Sequence, residues 1–148
     1  MDSNDKLKIL FLCTGNSCRS QMAEGWTRAL KSDEIDVWSA GIETHGLNPF
    51  AVRVMQEAGV DISSHESTHV DDLMHIPLDA VITVCDHARE SCPVFPGNVK
   101  RVHQSFDDPP FLAKSVDSED EKQEIYRRVR DEIRAFVETL PDALDGDA

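Results

Sequence analysis

No apolar run in this chain approaches the roughly 20 residues that a membrane-spanning helix needs, so such a helix is excluded. Positive charge is also short: 15 Lys and Arg stand against 28 Asp and Glu, a net charge of −13. That balance disfavours nucleic acid and anionic membrane surfaces as partners. The opening residues, Met1-Asp2-Ser3-Asn4-Asp5, lack the basic start and apolar core of a secretory signal, and a cytoplasmic location is expected. No internal repeat or linker composition interrupts the 148 residues, so one domain, 1–148, is expected, with 142–148 as a frayed tail. Cysteine is sparse, at four residues, and none of the four shows the Cys-x2-Cys spacing of a zinc knuckle. In a reducing compartment an even count is no disulfide framework, which leaves catalysis, redox cycling and metal binding open.

What is present is an alternation of strand-like and helix-like patterns. Residues 7–12 form a short, nearly continuous apolar run, as a buried parallel strand does. From about Cys18, the residues Met22, Trp26, Ala29 and Leu30 recur at helical spacing. Residues 37–40 read as a second strand, ended by Gly41. Asn48-Pro49 opens a second helix with an apolar face of Phe50, Val54, Met55 and Ala58, stopped by Gly59. A weak helix over 70–75 precedes a third strand over 78–84. That strand delivers Cys85 to its C-terminal end, with a short helix over 86–91 behind it. Residues 99–102 read as a fourth strand. The clearest helix carries Ile125, Val129, Ile133, Phe136, Val137 and Leu140 on one face. The acidic stretches 117–124 and 142–147 read as solvated surface. The whole predicts a three-layer α/β fold, a four-stranded parallel sheet flanked by helices. If the strand order is 2-1-3-4, Cys13 and Cys85 face one crevice beyond the strand ends.

The most informative stretch is Cys13-Thr14-Gly15-Asn16-Ser17-Cys18-Arg19-Ser20, set between the first strand and first helix. A thiolate is a nucleophile, and helix N-termini and cations lower its pKa. The amides of residues 14–19 can converge on a tetrahedral oxyanion, and the fork of Arg19 can hold two of its oxygens. Thr14, Gly15, Asn16, Ser17, Cys18, Arg19 and Ser20 are therefore the expected oxyanion-binding set. Gly15 and Asn16 tolerate left-handed backbone, and Ser20 is placed to donate a hydrogen bond to the sulfur. Without Gly-Lys-Ser/Thr, the stretch is no nucleotide-binding P-loop. Only Cys13 has the full loop ahead of it, so Cys18 reads as structural.

A sulfur nucleophile that displaces oxygen needs a general acid, and Asp108, held by Pro109, is the candidate, with Asp107 the alternative. Cys85 and Cys92 are seven residues apart. If the segment between them is helical, their Cα atoms stand about 10 Å apart at 1.5 Å per residue, whereas a disulfide requires less than about 7 Å. The two can pair only if the segment unwinds, which Pro93 and Pro96-Gly97 make easier.

Cys13 through Trp26 (CTGNSCRSQMAEGW), Ser39 through Pro49 (SAGIETHGLNP), Cys85 with Cys92-Pro93, and Phe106-Asp107-Asp108-Pro109 together resemble the thioredoxin-coupled arsenate reductases. These share the low-molecular-weight protein tyrosine phosphatase fold. The resemblance implies that Cys13, Arg19, Cys85, Cys92 and Asp108 are catalytic. Cys13 would attack arsenate, and Asp108 would protonate the departing oxygen. Cys85 would then release arsenite by forming a Cys13–Cys85 disulfide, and Cys92 would move that disulfide to Cys85–Cys92 for reduction by thioredoxin. It also implies a monomer and no required cofactor. Some members hold a potassium ion beside the loop, through residues matching Asn16, Glu24 and Ser39. Two further positions, Glu66 and Thr68, depart from the expected threonine and aspartate. Gln104-Ser105 stands where Trp-Gly is common.

Two other functions fit parts of the sequence. A low-molecular-weight protein tyrosine phosphatase needs Cys13, Arg19 and Asp108 but has no use for Cys85 and Cys92, and Gln21 departs from the proline usual in that branch. A non-catalytic metal or oxyanion sensor would use the cysteines or the His65/His69 pair.

Overall fold

A computed structural model of the chain describes residues 6–145. The first five residues, read above for the missing secretory signal, and residues 146–148 of the tail lie outside the described residues. Four strands, β1 (Leu7–Cys13), β2 (Ile35–Gly41), β3 (Ala80–Thr83) and β4 (Lys100–His103), form one parallel sheet in the order β2-β1-β3-β4. Between and after them run α1 (Arg19–Lys31), α2 (Pro49–Glu57), a 3-10 turn (Val70–Leu73), α3 (Asp86–Glu90), α4 (Pro109–Ala113), α5 (Glu119–Glu138) and α6 (Asp142–Asp145). The expected fold and strand order are the ones observed.

Burial explains why the central strands carry no polar alternation. Ile9, Leu10, Phe11 and Leu12 of β1 and Val81 and Ile82 of β3 are fully buried, with apolar neighbours on both faces of the sheet. Each such side chain contributes about 1.5–3 kcal/mol of hydrophobic stabilisation. Helix α1 places Met22, Ala23 and Trp26 in the core, and α5 adds Tyr126, Val129, Ile133 and Val137. The Trp26 indole N–H donates to the Arg130 carbonyl at 3.1 Å, joining the two helices. Asn48 caps α2 as its sequence implies, its side-chain oxygen accepting from the Phe50 and Ala51 amides. Ser118 caps α5 in the same way through the Glu121 amide.

The differences from expectation are local. Ala29, Leu30 and Ala58 are exposed, so the apolar stripes of α1 and α2 end earlier than their spacing implies. Strand β3 spans four residues, because its edge partner β4 pairs only from Ala80↔Lys100 to Thr83↔His103. Helix α4 was not foreseen: Pro109 and Pro110 read as a loop, yet proline suits a first helical turn. Tail residues 142–145 form α6 and bury Leu144 in the core, so this part is packed rather than frayed.

Candidate active site

The register puts two sulfurs at neighbouring strand ends. Leu12 pairs with Thr83, and the Val84 amide donates to the Leu12 carbonyl at 3.0 Å, so Cys13 and Cys85 leave adjacent strands together. All four cysteines are free thiols.

The loop after Cys13 is held from outside by its carbonyls. The carbonyls of Cys13, Thr14, Gly15, Ser17 and Cys18 accept from the amides of Ile42, Glu43, His45, Asn48 and Met22, at 3.1, 2.8, 2.9, 3.0 and 2.9 Å. The Asn16 carbonyl accepts from Gln21 Nε2 at 3.1 Å, and the Gly15 carbonyl takes a second bond from Ser67 Oγ at 2.9 Å. With every carbonyl turned outward, the amides turn in. Among the described residues, the N–H groups of Gly15, Asn16, Ser17 and Cys18 donate to no protein group, while that of Thr14 reaches the Cys13 sulfur. This is the geometry of an anion nest. The cavity it faces is about 320 Å³, lined by Cys13, Thr14, Gly15, Ser17, Cys18, Arg19, His45, Asn48, Asp108 and Pro110.

Two members of the expected set lie beneath the loop instead. Asn16 and Ser20 are fully buried, and Asn16 Nδ2 donates to Ser20 Oγ at 2.9 Å and to Ser39 Oγ at 3.0 Å. Ser20, expected to bond the sulfur, accepts from Asn16, whose left-handed backbone (φ 48°) turns its side chain into the scaffold, and its own O–H is left to donate. Gly15 has no such backbone; it is glycine because a Cβ there would lie 2.2 Å from His45 Nδ1. Gly41 is as constrained, since a Cβ would meet the Glu43 carbonyl oxygen at 2.3 Å and the Asn16 nitrogen at 2.7 Å.

Arg19 donates to the Phe106 carbonyl at 2.9 Å, and its other arm lies 3.8 Å from Asp108 Oδ1. Asp108 occupies the N-cap position of α4 but makes no side-chain cap bond, which leaves its carboxyl facing the cavity. Asp107, the alternative acid, instead accepts from Arg128 at 3.1 Å.

Cys13 and Cys85 are within hydrogen-bonding reach, and sharing that bond moves the two thiols in opposite directions. The Cys85 thiol is brought down to about 5 by the hydrogen bond from Cys13, against its burial, with help from the Thr14 hydroxyl, the Ala88 amide and Arg19. Thr14 Oγ1 stands 3.2 Å from Cys85 Sγ. Cys13 is held well above the ordinary thiol range by that same sharing and by burial, opposed by Arg19 and the Thr14 amide. Burial pushes the Cys18 thiol up, as befits a packing residue at the start of α1. Cys92, half-buried beyond α3, is also pushed up by burial, with Arg101 pulling the other way.

The residues proposed for potassium come together in one hydrogen-bonded group. Glu24 Oε1 accepts from Ser39 Oγ at 2.6 Å, and Oε2 accepts from Arg28 Nε at 2.9 Å with His65 Nε2 3.7 Å away. Asn16 offers N–H groups toward Ser39, while its Oδ1 accepts from the Thr68 amide and Gln21 Nε2. For the sensor reading, His65 is bonded to Gln21 and His69 to the Asp71 amide. No group of three or more His, Cys, Asp or Glu suited to a metal occurs among the described residues.

Sequence reading missed the scaffold: Gln21, His45, Asn48 and Ser67 touch the loop through bonds that span up to 52 residues, and Gly41 packs against its back. Only the neighbourhood of Asn48-Pro49, a capped helix start, carried a local signal.

The family description "low molecular weight phosphotyrosine protein phosphatase" matches residues 8–148. An arsenate reductase of Bacillus licheniformis is 54% identical over 139 residues, covering 90% of this chain and 97% of that protein. A solved arsenate reductase in its oxidised state superposes with a TM-score of 0.72 at 30% identity, covering 93% of this chain and 98% of that one. The thioredoxin-dependent arsenate reductase of Corynebacterium glutamicum gives a TM-score of 0.66 at 25% identity, over 99% of this chain and 66% of that one.

Proposed function

This chain belongs to the low molecular weight phosphotyrosine protein phosphatase family, and on that premise we propose that it is an arsenate reductase working by a three-thiol relay. The observation that carries this reading is the pairing of Cys13 with Cys85 under Thr14, with Cys92 waiting at the far end of a five-residue helix. A phosphatase has no use for the second and third sulfur.

Arsenate enters the nest, where inward amides and Arg19 neutralise its charge. The shared proton moves from Cys13 to Cys85, and the Cys13 thiolate attacks arsenic. Asp108 protonates the departing oxygen, which leaves as water. Cys85 then passes that proton to the Asp108 carboxylate left by the first step, and its thiolate attacks the Cys13 sulfur. A sulfur–sulfur bond forms, the sulfur–arsenic bond breaks, and its electron pair reduces As(V) to As(III), released as arsenite. Cys92 attacks Cys85, Cys13 leaves as thiolate, and a Cys85–Cys92 disulfide remains for thioredoxin. Weak phosphatase activity follows from the first half of the scheme alone.

The test is NADPH oxidation coupled through thioredoxin and thioredoxin reductase, with arsenate present or omitted. Wild type should show arsenate-dependent turnover, and Cys13→Ser, Cys85→Ser and Cys92→Ser should each lose it. Turnover that survives the loss of Cys85 and Cys92 would refute the relay.

A further inference from the structure

Helix α3 must hold its shape while the thiols are reduced and give it up afterwards, and little within it does the holding. It has five residues, well below the length at which isolated helices persist. Its N-cap residue, Cys85, offers only a sulfur to the Ala88 amide. The ties come from the edge strand. Arg101 and His103 are two apart on β4 and therefore point to the same face of the sheet. His103 Nε2 lies 3.1 Å from Asp86 Oδ1, at the first residue of α3, and its Nδ1 lies 2.7 Å from Thr83 Oγ1. A carboxylate only accepts, so Nε2 donates to Asp86. Arg101 Nη2 donates to the Pro93 carbonyl at 3.1 Å, just past the other end, and the same carbonyl is 3.6 Å from Cys92 Sγ. Between the two ties lies a cavity of about 350 Å³, lined by Thr83, Arg89, Cys92, Arg101 and His103 among others.

We propose that β4 is a two-point clamp on the relay segment, with His103 anchoring the Cys85 end and Arg101 latching the Cys92 end. The reading rests on the relay proposed above and adds its positioning residues. The two ties are unequal in role. To reach Cys85, Cys92 must cross most of the helix length, so the Arg101–Pro93 bond has to break. The His103–Asp86 bond can persist throughout and keeps Cys85 at the strand end while its partner travels. Arg101 therefore delays Cys92 until the Cys13–Cys85 disulfide exists to be attacked.

Amide hydrogen exchange on the reduced protein tests the clamp without arsenate. Arg101 and Asp86 are both exposed, so Arg101→Met and Asp86→Ala can be made without opening the core. In Arg101→Met the Arg89 and Ser91 amides, which bond the Cys85 and His87 carbonyls, should exchange at least tenfold faster. Amides of β1 and α1 should keep their rates, and hydrolysis of p-nitrophenyl phosphate should be unchanged. Starting from the Cys13–Cys85 disulfide, Cys85–Cys92 should form faster in Arg101→Met. Asp86→Ala should loosen the same segment from its other end. Arg101→Lys, which keeps a donor within reach, should restore part of the protection. Faster exchange confined to 86–92 supports the clamp even if wild type fails to reduce arsenate. Unchanged exchange in both Arg101→Met and Asp86→Ala overturns it even if arsenate is reduced.

Discussion

The Thr14 hydroxyl reaches Cys85 Sγ at 3.2 Å, so a residue of the oxyanion loop sets the state of the second thiol. A hydrogen bond to a charged acceptor is worth about 1.5–3 kcal/mol, or roughly one to two pH units. The Cys85 value is depressed to about 5, so its thiolate is present above that pH and lost as pH falls through it. Thr14→Val should move this loss upward. Alkylation of Cys85 in a Cys92→Ser background, followed from pH 4 to 9, should show the shift, and arsenate turnover should fall more at pH 6 than at pH 8. An unmoved profile would remove Thr14 from the relay.

Asp108 faces the cavity while Asp107 is turned to Arg128. Asp108→Asn should lower hydrolysis of aryl phosphates with poor leaving groups by about 10²- to 10⁴-fold, the usual worth of a general acid. Asp107→Asn should change it little. The comparison is a rate series across leaving groups, where only the Asp108 variant should become steeply dependent on leaving-group pKa.

Gly41 lets the chain pass against the back of the loop. Gly41→Ala places a Cβ 2.3 Å from the Glu43 carbonyl oxygen, and backbone must shift to admit it. Overpacking of this kind costs about 1–3 kcal/mol. A calorimetric titration with phosphate should show at least tenfold weaker binding, and denaturant unfolding the accompanying loss of stability.

Glu24 is already bonded by Arg28 and Ser39. Replacing sodium with potassium at constant ionic strength should therefore change kcat/KM by less than about twofold, within the range of general salt effects. Arg28→Gln frees Glu24 and should make the enzyme more responsive to potassium. A strong response in wild type would show that Arg28 yields to the ion.

That Cys13, Arg19 and Asp108 line one cavity was legible because each lies in a local pattern: strand, loop and helix for Cys13 and Arg19, and a proline-braced aspartate for Asp108. The parallel sheet was legible for a similar reason, since the buried runs around Leu10 and Val81 admit little else. The scaffold of the loop was not. Ser67 and Gln21 are ordinary polar residues in sequence, and only the fold shows that their bonds go to Gly15 and Asn16. Ser20 is a related case: only the fold shows that its hydroxyl accepts from Asn16. Helix α4 was hidden because two prolines announce a loop unless they fall in a first turn.

The adjacency of β1 and β3 acts as a ruler. Neighbouring strands run about 4.8 Å apart. The Cα atoms of a disulfide sit about 5.5–6 Å apart. Cys13 follows Leu12, which pairs with Thr83, so Cys85 lies one residue beyond level with it, and the two start within a small adjustment of bonding distance. The first disulfide is then a property of backbone spacing, and a related phosphatase given a cysteine at the end of its third strand should close the same bond without rebuilding its core.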